Sequence, residues 1–236
     1  MAADHLLAFL VVSLVVWNQF FIFRLKRAKD CDARLRTYWL TMTSKWFVTV
    51  LVLGVMGPRT LWYAHLSTSE ERWLPGSVVV AGMTVASVVA MLVPLVVVRK
   101  PEGLAALSRQ IEKLSFVLPQ SSRERFWWAP LSITAGVCEE ILFRSFLLDY
   151  LHAGPWRLAP GLAIALACAI FGLGHLYQGL KGALAASVLG LLLFVFFLST
   201  GSLLLPILLH ALTDLRVLLV LRAARESAIS ARLAKH

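Results

Sequence analysis

Apolar residues fall in seven blocks along the chain, at about 6–23, 38–57, 77–98, 128–150, 158–176, 182–200 and 202–222. A helix rises ~1.5 Å per residue, so about 20 apolar residues cross a hydrocarbon core ~30 Å thick. Each block reads as a transmembrane helix, because lipid offers backbone groups no partners outside their own segment. The fold expected is all-α, a polytopic membrane bundle of about seven spans (six to eight). Only Thr200 and Gly201 part the last two blocks, which predicts a tight helical hairpin. The first block, Leu6 to Phe23, has no basic segment before it and no small-residue cleavage site after it. It is expected to remain as the first helix. No repeat or low-complexity stretch is visible.

The segment after the third block differs. From Pro101 to Leu118, apolar residues recur at helical spacing (Leu104, Leu107, Ile111, Leu114, Val117), with Arg109, Glu112 and Lys113 between them. This predicts an amphipathic helix along the membrane interface, followed by Trp127 and Trp128 at interfacial depth. The chain thus divides into N-terminal helices (1–98), a cytoplasmic amphipathic linker (99–127), a core of four helices (128–222) and a cytoplasmic tail (223–236).

Composition agrees with this reading. The 236 residues are 59% hydrophobic and 15% charged, against about a quarter charged in soluble domains. Mean hydropathy is +0.77. A net charge of +10 would suit nucleic acid, but the basic residues lie in short loops, a pattern of membrane orientation and contact with anionic lipid. The first loop carries Arg24, Lys26, Arg27, Lys29, Arg34 and Arg36. The third carries Arg99, Lys100, Arg109, Lys113, Arg123 and Arg125, and the tail Arg222, Arg225, Arg232 and Lys235. The second loop offsets Arg59 and Arg72 with Glu70 and Glu71, and beyond it the outer side holds only Arg157. The N-terminus is therefore expected outside and the C-terminus in the cytoplasm, in a bacterial inner membrane given the short loops. Cys31, Cys138 and Cys168 show no paired spacing, and Cys138 and Cys168, in apolar segments, read as small buried residues.

Charge inside the blocks is what calls for a function. A charged side chain at a helix centre costs roughly 2.5–3.5 kcal/mol on insertion scales. The fourth block nevertheless holds Glu139, Glu140 and Arg144. Glu140 and Arg144 share a helix face at i, i+4 and can pair. Glu139 points about 100° away with no partner on its own turn, as befits a reacting carboxyl. The fifth block ends in Phe171 and His175, on one face at i, i+4. The seventh carries His210 and Asp214 at the same spacing. Glu139, His175, His210 and Asp214 could converge on a water and activate it, with a second histidine stabilising an oxyanion. They could also hold Zn²⁺ with an open position for that water. No cofactor is certain. Lys45 and Arg216 read as structural residues that snorkel, and Asn18 as a link between helices. Helical depth sets a condition. Glu139 lies about 18 Å inward of Trp127, whereas His175 sits near the cytoplasmic end of its helix. Convergence requires that helix to run past His175, or the membrane to be thin there.

H-E-x-x-H, G-x-G-D and G-x-S-G are missing. Instead, Glu139-Glu140-x-x-x-Arg144, Phe171-x-x-x-His175 and His210-x-x-x-Asp214 occur in that order. In these motifs, across residues 125–222, the chain resembles the CPBP family of CAAX proteases and bacteriocin-processing membrane proteins. The resemblance implies an intramembrane endopeptidase with a cavity open to the cytosol, glutamate-dependent or metal-dependent. It implies that Glu139 and His175 activate water, His210 and Asp214 form the oxyanion site, and Glu140 and Arg144 support Glu139. The last position is often asparagine in the prenyl-protease members. An ionised aspartate cannot donate to an oxyanion, so Asp214 must be protonated, orient His210 or bind metal. The implied partners are a peptide or protein substrate, prenylated or bacteriocin-like, and membrane lipid, but no nucleic acid. The alternative is a non-catalytic membrane scaffold or bacteriocin-immunity protein on the same fold. A proton-coupled transporter would want an inverted repeat or broken helices, and neither is visible.

Overall fold

The apolar blocks become eight helical elements in a computed structural model that describes residues 2–28, 30–57 and 75–233. They are α1 (Ala2–Ala28), α2 (Cys31–Met56), α3 (Ser77–Val97), α4 (Pro101–Lys113) and α5 (Ser122–Glu139, continued by Glu140–Leu147 and Leu148–His152). After these come α6 (Pro160–Leu173), α7 (Leu180–Thr200) and α8 (Leu204–Leu233). No strand occurs among the described residues. Five helices, α1, α2, α3, α7 and α8, are long and apolar enough to cross a membrane. The protein is an all-α helical bundle and an integral membrane protein. Residues 223–233 extend α8. Lys29, Arg59, Glu70, Glu71, Arg72 and Lys235, which enter the loop-charge pattern, lie outside the described residues.

Local chemistry explains the helix ends. Asp30 caps α2, its carboxylate accepting from the Ala33 N–H at 2.7 Å. Pro101 and Pro160 sit at the first positions of α4 and α6, where no intrahelical N–H bond is lost. Gly201 (φ +64°) terminates α7 in a left-handed conformation, and Ser202–Leu203 lead into α8. That is the tight hairpin expected.

Hydrophobicity alone gives helices no reason to associate in lipid, so small residues and polar ties hold the bundle. Gly136 on α5 abuts α8: a Cβ there would come 2.9 Å from Ala211 Cβ and 3.0 Å from the Ile207 carbonyl. Trp128 Nε1 donates to the Asp214 carbonyl at 3.0 Å, and Trp46 Nε1 to Thr134 Oγ1 at 3.1 Å. Gln19, not its neighbour Asn18, ties α1 to the end of α6, donating to the carbonyls of Leu173 (3.1 Å) and Gly174. The main core joins α1, α2, α5, α6 and α7 through Val11, Leu14, Val52, Leu142, Phe146, Ala167 and Phe197. α3 packs through Val80 against Leu193, Phe196 and Leu209 and exposes most of its remaining surface.

Arg34 departs from its expected place among the loop charges. It is buried, and its Nε donates to Glu124 Oε1 at 2.6 Å. Glu124 also closes a capping box with Ser121. Tyr38 donates to the Val117 carbonyl at 2.6 Å. Together these contacts fasten the start of α2 to the segment between α4 and α5.

Candidate active site

α5 changes its winding where the glutamates lie. The α-helix ends at Glu139, Glu140–Leu147 wind as a π-helix, and α-geometry resumes at Leu148. Such wide turns are rare and concentrate at functional sites. All eight residues of the segment are buried. Glu140 and Arg144 form the expected pair, Arg144 Nη1 standing 3.1 Å from Glu140 Oε1, with both side chains fully enclosed. Two aromatic faces receive the guanidinium, Phe171 at 4.4 Å and Phe194 at 5.5 Å. Gly190 on α7 makes room, since a Cβ there would meet Phe171 Cδ1 at 3.3 Å and Arg144 Nη2 at 3.4 Å.

Phe171 also stands between the two imidazoles, 4.8 Å from the His175 ring and 5.9 Å from the His210 ring, centroid to centroid. Each ring is oriented by one hydrogen bond. His175 Nδ1 is 2.9 Å from the Phe171 carbonyl. A carbonyl only accepts, so Nδ1 carries the proton, and Nε2 of the neutral ring is left as an acceptor. His210 Nδ1 is 2.7 Å from Glu140 Oε1 and donates to it, and its Nε2 is 3.7 Å from Glu139 Oε2. Glu140 therefore holds both Arg144 and His210, and α5 is locked to α8 through it.

Two expectations are corrected. Glu139 is not an unpaired carboxyl: its Oε1 pairs with Lys45 Nζ from α2. Lys45 accordingly does not snorkel to an interface but points inward, with its side chain 9% exposed. A lysine fourteen residues into a 26-residue helix lies ~21 Å from that helix's start, too far for its stem to reach that end. Its mid-span position was the signal. The second correction concerns depth. α6 stops at Leu173, and His175 opens a short 3-10 turn, Leu176–Gln178, closed by Gly179 at φ +86°. The helix does not run past His175. Instead it spans only fourteen residues, about 21 Å, and His175, just past its end, lines a cavity shared with Glu139, His210 and Asp214.

Glu139, His175, His210 and Asp214 line one cavity of about 820 Å³, as do Lys45 and Arg216. Its walls are largely apolar, with Val11, Leu14, Met83, Met91, Leu189 and Leu192 among them, and Gln110, Leu114 and Val117 border it from the α4 side. Asn18 faces this cavity too. The four residues do not fit a metal ion. No group of three His, Cys, Asp or Glu side chains with metal-holding geometry occurs among the described residues. A dication at Glu139 would also meet the Lys45 ammonium. The tetrahedral Zn²⁺ reading is set aside on that geometry.

No curated protein and no solved structure matches the chain. One family model, described as type II CAAX prenyl endopeptidase Rce1-like, matches residues 121–216. The match begins at the N-cap of α5, ends just beyond Asp214, and contains every motif residue from Glu139 to Asp214. Over this segment the chain is similar to the Rce1-like type II CAAX prenyl endopeptidases, which is consistent with a CPBP family intramembrane protease.

Proposed function

We propose that the protein is an intramembrane endopeptidase that hydrolyses a peptide bond in a membrane-associated or lipid-modified peptide. The observation that carries this reading is the Oε2 of Glu139, buried without a hydrogen-bond partner among the described residues, in a cavity shared with two oriented imidazoles. Water between Glu139 Oε2 and His175 Nε2 loses its proton to one of these acceptors as its oxygen attacks the carbonyl carbon. The carbonyl π pair moves onto oxygen. His210, protonated on both nitrogens, presents Nε2–H to that oxyanion while Nδ1–H remains on Glu140. Collapse breaks the C–N bond, and the proton passes to the leaving amine. Asp214 lines the same cavity and acts on the oxyanion through its own proton or through the orientation of His210. Glu140 and Arg144 hold the frame.

The apolar walls support a substrate with a lipid or strongly apolar segment, prenylated or bacteriocin-like. The loop charges support a cytoplasmic α4 face, with the N-terminus outside a bacterial inner membrane. The test is cleavage by the purified chain, in detergent, of prenylated and unprenylated peptide libraries, alongside Glu139→Ala. Cleavage by the wild type that Glu139→Ala abolishes supports the reading. No cleavage, or equal cleavage by the variant, refutes it.

A further inference from the structure

Lys45 lies outside the segment that the family model matches, yet it makes the closest contact to the carboxylate on which the proposed chemistry turns. Its Nζ pairs with Glu139 Oε1, and both side chains are nearly enclosed, at 9% and 12% exposure. The other oxygen, Oε2, is buried, has no hydrogen-bond partner among the described residues, and stands 3.7 Å from His210 Nε2. The carboxylate is thus divided, one oxygen held by Lys45 and the other without a hydrogen bond. α2 brings nothing else ionised to this level: the neighbours of Lys45 at i±3 and i±4 are Thr41, Met42, Val48 and Thr49. An isolated lysine in a span is costly, and pairing offsets that cost only where the ammonium meets Glu139.

We infer that Lys45 is a positioning residue for the hydrolysis: it clamps Glu139 through Oε1 and so dedicates Oε2 to the water. The inference rests on the peptidase reading above. In the step itself, the water O–H bond breaks and its proton goes to Oε2. The water oxygen bonds to the carbonyl carbon, and the same proton later leaves with the amine. Lys45 keeps all its protons throughout. A lysine that merely ties α2 to α5 would lower stability when removed and leave the turnover of folded molecules unchanged. A clamp governs turnover.

The experiment uses the full chain in detergent micelles, turning over a peptide the wild type cleaves, with kcat expressed per folded molecule. Lys45→Met is expected to lower kcat about 100-fold, the effect of a misplacement of ~1 Å, at an unchanged KM. Lys45→Arg restores most of it. Ethylammonium, a detached side-chain end, raises the kcat of Lys45→Ala saturably. Folded Lys45→Met with wild-type kcat overturns the inference. So does a Lys45→Ala whose melting temperature, but not kcat, responds to ethylammonium. Should Lys45→Met not be recovered folded, the polar but uncharged Lys45→Gln decides: a folded variant with lowered kcat supports the clamp, and a folded variant with wild-type kcat sinks it. A wild type that cleaves nothing removes the peptidase reading itself, whereas an active wild type with indifferent variants removes only the role of Lys45.

Discussion

Glu140 Oε1 is shared by two partners, His210 Nδ1 at 2.7 Å and Arg144 Nη1 at 3.1 Å, so one oxygen fixes an imidazole on α8 and a guanidinium within α5. The two substitutions of Glu140 should therefore differ in kind. Glu140→Ala strands a fully enclosed Arg144, and removal of one member of a buried pair costs about 3–5 kcal/mol. It is expected to unfold well below the wild type in a thermal scan. Glu140→Gln keeps an acceptor for His210 Nδ1–H and much of the shape. It is expected to stay folded and lose turnover. Equal melting temperatures for wild type and Glu140→Ala would contradict this account.

Gly136 lies one helical turn before Glu140 and faces Ile207 and Ala211, one turn before and one residue after His210. Gly136→Ala needs α5 and α8 to part by a few tenths of an ångström or more. Overpacking of this kind costs about 1–3 kcal/mol. Because the displaced helices carry Glu139 and His210, the loss in kcat should exceed the loss in stability. Turnover of the variant at a temperature where it is fully folded measures this, and wild-type kcat there would show that the contact does not set the site.

Much of this arrangement was legible from spacing alone. The blocks near 77–98 and 182–200 became α3 and α7 almost residue for residue, because a membrane span needs length and apolarity and little else. The Glu140–Arg144 pair followed from i, i+4 geometry. What spacing could not show depends on other helices. Lys45 is 94 residues from Glu139 in sequence, and its pairing exists only once α2 packs on α5. The π-helix after Glu139 has no distinct signature, since around the ion pair every residue but Ser145 is apolar whichever way the segment winds. The early stop of α6 was masked by apolar residues on both sides of Gly172 and Gly174. His210 was expected to work with Asp214, its neighbour on α8. It also bonds to Glu140, a partner across the helix interface that spacing along α8 could not show.

The Arg34–Glu124 pair should give the protein an acid-sensitive seam outside the spans. Burial raises the Glu124 pKa, but hydrogen bonds from the Ser121 and Gln120 N–H groups and from Arg34 outweigh it and hold the carboxyl at about 2. Its folded-state pKa is depressed, so the stabilisation is fully present above the unfolded value of 4.5 and is lost as pH falls toward 2. The contribution is on the order of 2–3 kcal/mol. Glu124→Gln keeps a capping-box residue and removes the charge. Its melting temperature should lie below the wild type at pH 7, with the gap closing between pH 4.5 and 2. A gap that stays constant through that window would contradict the assignment.

Asp214 lines the cavity with His210, and its backbone carbonyl is already committed to Trp128 Nε1 at 3.0 Å. Helix α8 is therefore anchored at this residue whatever its side chain does, and substitutions there report on chemistry more than on folding. If the side chain serves an oxyanion by donating a hydrogen bond, asparagine can do so at any pH, whereas aspartate does so only when protonated. Asp214→Asn is expected to retain activity and to be less dependent on pH above neutrality than the wild type. Asp214→Ala should lose about 10²–10³-fold in kcat, the usual effect of deleting one oxyanion donor. If Asp214 instead acts as a charge on His210, the asparagine variant should fall as far as the alanine one. The ratio of the two kcat values across pH 6–9, on one cleavable peptide, separates donation from charge.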